Sequence, residues 1–129
     1  MSGEVEYLDP EDLVALAILL LGDPPPIRDA GLLGSAAARP RTTVFGEDAY
    51  PDLWTKGAAL LQSIVKGHPL IDGNKRLGWL ATAVFLEINE VEASAAPDDE
   101  VVSLVIDVAG GDRTIEEIAA GLQRLTGHG

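Results

Sequence analysis

Asn74-Lys75-Arg76-Leu77-Gly78-Trp79-Leu80-Ala81-Thr82-Ala83-Val84-Phe85-Leu86-Glu87-Ile88-Asn89 reads as one helix that is apolar on every side. Leu77, Leu80, Ala81, Val84, Phe85 and Ile88 recur at helical spacing. Trp79, Ala83 and Leu86 cover the opposite side. A helix with no polar face belongs in the middle of a helical domain. The segments around it carry the same period. Upstream, a helix is predicted from about Leu53 to Lys66, with Leu61, Ile64 and Val65 inward and Gly67 at its end. His68 to Gly73 then forms a loop. Downstream, Pro97 opens a helix bearing Val101, Val102, Leu104, Val105 and Val108, and Gly110-Gly111 closes it. Thr114-Ile115-Glu116-Glu117 is a capping box for a last amphipathic helix with Ile115, Ile118, Ala119, Leu122 and Leu125.

The N-terminal third follows the same grammar. Asp9 caps and Pro10 fits the first helical position, where no N–H is needed. Leu13, Leu16, Ala17, Leu20 and Leu21 follow, and Gly22 with Pro24-Pro25-Pro26 stops them. Asp29 caps an Ala-rich helix that ends before Pro40. Arg41-Thr42-Thr43-Val44-Phe45-Gly46 is the one good strand signal, and a small ribbon is expected there. The expectation is an all-α fold of six helices with a short β-hairpin, a single domain over residues 1–129.

Composition narrows the function. Nine Lys+Arg against 21 Asp+Glu give a net charge of −12. Direct binding to nucleic acid needs the opposite sign, and an anionic membrane surface repels such a chain. With 47% hydrophobic residues the chain is too apolar for a disordered acidic tail. It has no Cys, so disulfides, thiolate metal sites and Cys nucleophiles are excluded. Met1-Ser2-Gly3-Glu4-Val5-Glu6 is acidic where a secretory signal is basic, and Leu13 to Leu21 is too short to span a bilayer. A cytoplasmic location is expected.

Reactive side chains are dense in one stretch only: His68-Pro69-Leu70-Ile71-Asp72-Gly73-Asn74-Lys75-Arg76. Taken singly these residues read as a turn, a solvated helix start and a surface histidine. Together they are a donor cluster in an unusual place. Cations are disfavoured at a helix N-terminus, where the free N–H groups already carry positive charge. Lys75, Arg76, Asn74 and the bare backbone of Gly73 gathered there suit a phosphate. Asp72 is a hard oxygen ligand beside it, and one carboxylate plus phosphates is the usual way to hold Mg²⁺. Imidazole, with an ordinary pKa of about 6.5, makes His68 the candidate base. Pro69 is expected to bias His68 to extended backbone. The Walker pattern fails, because Lys75 is followed by Arg76 rather than a hydroxyl residue. The dinucleotide glycine pattern and the helical zinc pattern are absent as well.

The nine residues resemble the active-site signature of the Fic/Doc family, His-x-Phe-x-Asp/Glu-Gly/Ala-Asn-Gly/Lys-Arg. The match falls on His68, Asp72, Gly73, Asn74 and Arg76, and Lys75 fits the Doc (death on curing) branch. Ile27-Arg28-Asp29-Ala30-Gly31-Leu32-Leu33, Ala38-Arg39-Pro40, Phe45-Gly46-Glu47, Tyr50-Pro51 and Phe85-Leu86-Glu87-Ile88-Asn89 look like its other segments. Leu70 replaces the usual Phe as an apolar anchor. Trp79 stands where many Fic proteins have a second Arg, a departure shared with Doc proteins.

The resemblance implies a compact α-helical fold and a toxin of a toxin–antitoxin pair. Its activity would be ATP-dependent phosphorylation of a Thr or Ser hydroxyl, with elongation factor Tu the first candidate and translation blocked. The alternatives it leaves are AMP transfer, as in Fic proteins, and an inactive binding module. It implies His68 as base, Asp72 as Mg²⁺ ligand, and Gly73, Asn74, Lys75 and Arg76 on the phosphates of ATP, with His68, Asp72 and Arg76 as the catalytic set. The ribbon would be the flap that holds an extended target segment. Self-silencing Fic proteins carry Ser/Thr-x-x-x-Glu-Gly/Asn on an inhibitory helix. The nearest match, Thr43 to Glu47, is followed by Asp48 and lies in the presumed flap. Inhibition is therefore expected from a cognate, Phd-like antitoxin on a separate chain.

Overall fold

A computed structural model describes residues 4–128. Residues 1–3, the start of the acidic N-terminal run, and residue 129 lie outside the described residues, as do the two ends of the expected 1–129 domain. The helices are α1 (Pro10–Leu21), α2 (Ala30–Ala38), α3 (Leu53–Gly67), α4 (Asn74–Ile88), α5 (Asp98–Gly110) and α6 (Ile115–Leu125). The two strands β1 (Thr43–Val44) and β2 (Glu47–Asp48) pair antiparallel, Thr43 opposite Asp48 and Val44 opposite Glu47. The expected all-α fold with a short hairpin is therefore the observed one.

The caps expected at Asp29 and Thr114 form, and Asp52 adds one at the start of α3. Asp29 Oδ1 accepts from Leu32 N–H at 3.2 Å. Asp52 Oδ1 accepts from Thr55 N–H at 2.8 Å. Thr114 and Glu117 satisfy each other's N–H groups at 2.9 and 3.1 Å, and the bond to the Thr114 backbone holds the Glu117 carboxyl below its ordinary range.

The centre is α3, where the sequence pointed to α4. Helix α3 touches α2, α4, α5, α6 and a 3-10 turn at Arg39–Arg41. It feeds two apolar clusters. Leu60 and Ile64 face one, with Leu13, Leu33, Leu70, Leu77 and Phe85; Ala58, Leu61 and Val65 face the other, with Val105, Val108, Ile118 and Leu122. On α4, by contrast, Trp79, Leu80, Ala83 and Val84 are half-buried and Ile88 is 42% exposed. The apolar side that made α4 read as central lines surface grooves beside α5.

Arg41, expected in the strand, belongs to the 3-10 turn, and the ribbon is shorter than the β-branched run. Phe45 and Gly46 form its two-residue turn with φ of +52° and +80°, the handedness that matches strand twist. Lys56 of α3 is buried beneath it. Its Nζ donates to Asp48 Oδ2 at 3.0 Å and to the Tyr50 carbonyl, tying the return strand to the core. The Thr43–Glu47 stretch thus lies in a ribbon and on no helix.

Helices α3 and α4 approach closely at Gly78. A Cβ there would lie 2.6 Å from Val65 Cγ2, which is itself fixed in the second cluster. Gly78→Ala is expected to cost about 1–3 kcal/mol through overpacking. Urea titration checks this: the midpoint should fall with the slope unchanged.

Candidate active site

The loop between α3 and α4 starts from a left-handed residue. His68 ends α3 at φ +54°, ψ +56°, with its N–H closing on the Ile64 carbonyl at 3.3 Å. This corrects the extended conformation expected before Pro69, while the helix ends at Gly67 as expected. A non-glycine residue pays roughly 1–2 kcal/mol there. It persists because the surroundings hold it. Arg28 donates from Nε to the His68 carbonyl at 2.7 Å and from Nη2 to the Gly67 carbonyl at 3.1 Å. A guanidinium on the last carbonyls of a helix also meets the negative end of its dipole.

The rest of the loop is pinned by the chain between α1 and α2. The N–H groups of Arg28 and Asp29 donate to the Pro69 carbonyl at 2.8 and 3.0 Å, and Ile71 N–H donates to the Pro26 carbonyl at 2.8 Å. Ile27 and Leu70 form an antiparallel bridge. Leu70, the expected anchor, is buried in the first cluster.

Asn74, first residue of α4 and 7% exposed, binds the loop to the helix. Its Oδ1 accepts from Leu70 N–H and its Nδ2 donates to the Leu70 carbonyl, each at 2.9 Å. The same Nδ2 lies 3.3 Å from His68 Nδ1. The structure thus brings His68 and Asn74 into direct contact, and the Asn74 amide is committed to the loop.

Asp72 is exposed, and its Oδ1 accepts from Gly73 N–H at 2.9 Å. Gly73 has φ +89°, and a Cβ on it would meet Leu21 Cδ1 at 2.7 Å. The bare face expected to admit phosphate oxygens is turned to α1, so the glycine is required by fold and conformation together. No side chain caps the first turn of α4, where Lys75 and Arg76 stand exposed. Arg76 Nη2 donates to the Leu20 carbonyl at 3.4 Å. Lys75 and Arg76 also border a groove of about 420 Å³ with Leu20, Trp79, Leu80, Val101, Val102, Val105 and Ile106.

Among the described residues no three His, Asp or Glu side chains gather to cage a metal. What Asp72 offers fits the other way of holding Mg²⁺, one carboxylate completed by substrate phosphates. The ring of His128, the second histidine, lies 5.2 Å from that of Trp54, at the far end of α3 from His68.

The loop thus sets a histidine with a fixed backbone beside a basic helix start that no side chain caps. The residue pattern of the Fic/DOC family matches residues 7–86. The chain belongs to the Fic/DOC family. It is also 48% identical, over 118 residues and 91% of each chain, to a protein of Mycolicibacterium smegmatis described as Toxin Doc. The family pattern begins before α1 and ends in α4, so it contains every segment that builds the loop. No helix among the described residues is long and apolar enough to cross a membrane.

Arg28 and Lys56 are the positioning residues that local sequence reading missed. Arg28 acts on a loop 40 residues away, and no periodicity reports such a contact. Arg28→Met is expected to speed amide exchange at Asp29 and Ile71 about fivefold or more, the factor for a net hydrogen bond of ~1 kcal/mol. Exchange followed by NMR checks this, and unchanged protection would show that the backbone pairing alone holds the loop.

Proposed function

We propose that this chain is a Doc-type toxin of a toxin–antitoxin pair, an enzyme that transfers the γ-phosphate of ATP to a Thr or Ser hydroxyl of a protein. The observation that carries the reading is the juxtaposition of a clamped His68 with the uncapped, doubly cationic start of α4. Elongation factor Tu is the first candidate acceptor, and blocked translation the consequence. The relative described as Toxin Doc supports the toxin assignment.

Each residue has a physical task. His68 accepts the hydroxyl proton as the oxygen forms its bond to the γ-phosphorus, and the bond to the leaving diphosphate breaks with its electron pair going to ADP. Gly73, Asn74, Lys75 and Arg76 form the phosphate-binding turn, its N–H groups and two cations set against the negative oxygens. Arg76 is also held by the Leu20 carbonyl, which limits its reach. Asp72 is the residue that would hold Mg²⁺, whose charge neutralises phosphate oxygens. Phosphoryl transfer is mostly positioning and charge neutralisation, so a set this small suffices.

Lys75 and Trp79 favour phosphate over AMP transfer. A cation at the place of a bare glycine crowds the distal phosphates in the AMP-transferring orientation. Trp79 removes the second Arg on which that orientation relies, and its ring lies half-buried beside Val101. The exposed flap with Phe45 at its tip supports docking of an extended target segment. The inhibitor is a separate Phd-like antitoxin chain.

ATP labelled separately at the α and γ positions tests the reaction with elongation factor Tu. Label from γ with ADP released is expected. Label from α with pyrophosphate released establishes AMP transfer instead. His68→Ala should lower turnover by about 10²–10⁴-fold, the ordinary contribution of a general base, and abolish toxicity. Wild-type turnover in the folded variant would sink the assignment of the base.

A further inference from the structure

We infer that the buried ammonium of Lys56, in place of apolar packing, sets the direction of the β1–β2 ribbon on α3, and that this direction governs capture of the protein acceptor. The second half rests on the reading of the ribbon as the flap that holds the target; the first half does not.

The ribbon has no apolar footing of its own. Residues 41–49 are all exposed, and Phe45 at the tip lies fully in water. Each strand is two residues long. A two-stranded hairpin is at best marginal by itself in water, so its direction has to come from its feet. The entry foot is loose. The Arg41 guanidinium lies 4.6 Å from the centre of the Tyr7 ring and 3.8 Å from Asp9 Oδ1, and both charged side chains are about half exposed or more. Contacts of this kind in water are weak and let the chain slide.

The return foot is buried and directional. Lys56 is 1% exposed. Its Nζ donates to Asp48 Oδ2 at 3.0 Å and to the Tyr50 carbonyl, and the Tyr7 ring, its centre 5.9 Å away, lies over it as well. Charge-assisted bonds such as these are the strong ones. Arg39 adds a second attachment. Its Nε donates to Tyr50 Oη at 3.0 Å, while its Nη1 donates to Gln62 Oε1 and Ser63 Oγ of α3 at 2.7 and 3.1 Å. The return limb is thereby joined to α3 at two separate points, directly at Lys56 and through Arg39 at Gln62 and Ser63. Two points on one helix fix a direction, and one does not.

The helix that mounts the ribbon also ends at the candidate site. From Lys56 to His68 is about 18 Å of helix axis, at roughly 1.5 Å per residue. Helix α3 is packed into both apolar clusters, so this interval is constant. A segment lying along the ribbon is then presented at one setting relative to the α3–α4 loop. Without Lys56 the ribbon has to be ordered at the moment of binding, and that cost falls on acceptor affinity. The substitution is clean. Asp48 is 51% exposed, so its carboxylate turns to water when the ammonium is gone and no lone charge stays buried. Methionine keeps the length and the apolar stem of the lysine.

The test uses the full chain, labelled with ¹⁵N, as wild type, Lys56→Met and Asp48→Asn. The second variant changes only an exposed side chain, so it stands even where the first fails to fold. Backbone order parameters at Val44 and Glu47 are expected near 0.85 in the wild type, and below about 0.6 in Lys56→Met. Asp48→Asn keeps an acceptor oxygen and loses the ion pair, and should shift them the same way by less. With elongation factor Tu and γ-labelled ATP, Lys56→Met should raise the KM for the protein about tenfold, with the KM for ATP and kcat changed less than about twofold. A lysine that serves folding alone would lower kcat with the active fraction and leave both KM values in place. A disordered ribbon in the wild type, or unchanged order in the folded variants, overturns Lys56 as the mount. A loosened ribbon with an unchanged KM for the protein overturns its part in acceptor capture. No transfer by the wild type defeats the proposed reaction and the second half with it, and the order parameters still decide the first.

Discussion

One helix has to be buried on nearly all sides for this molecule to exist. Helix α3 presents Leu60 and Ile64 to one apolar cluster and Ala58, Leu61 and Val65 to the other. Neither cluster is complete without it. Small residues make this possible: Gly57 sits 3.4 Å, at its would-be Cβ, from Leu122 Cδ1, and Gly78 of α4 lets Val65 in. Burial of this extent gives the helix a fixed axis. Its C-terminus is therefore a rigid post, and the candidate base is the residue mounted on it.

The loop beyond that post is built against local preference. His68 occupies a backbone region that suits glycine, and Gly73 opens α4 from the same region. Strain of this kind is kept where the surroundings over-determine it. The 26–29 strand-like segment, with its Arg28 side chain, and the Asn74 amide supply that excess of constraint from two different parts of the chain. The result is a histidine whose backbone is fixed while its ring stays at the surface.

The charge pattern gains sense in the fold. The chain carries 21 acidic side chains against nine basic ones. Three of the nine, Arg28, Lys75 and Arg76, reach the loop or stand at its exit. Lys56 and Arg39 are spent on structure. Arg39 donates to Tyr50, Gln62 and Ser63 at 3.0, 2.7 and 3.1 Å, joining the 3-10 turn to α3. Lys75 and Arg76 make the start of α4 a basic spot in an otherwise acidic molecule.

Sequence alone determined the six helices, because caps and 3.6-residue periodicity are local properties. Asp29, Asp52 and Thr114 cap as their side chains dictate, and Pro and Gly close the segments nearby. It also singled out the nine residues of the candidate site, because a donor cluster at a helix start conflicts with its dipole and so stands out. Tertiary structure decided the rest. Which apolar helix is central depends on what packs around it, and α4 has an apolar side that its neighbours leave half covered. The backbone of His68 departs from the preference set by Pro69 because a guanidinium 40 residues earlier in the chain holds its carbonyl. Asn74 reads as a phosphate donor in the motif, and its partners turn out to be Leu70 and His68. Those contacts join parts of the chain that no local pattern connects, and only folding brings them within hydrogen-bond reach.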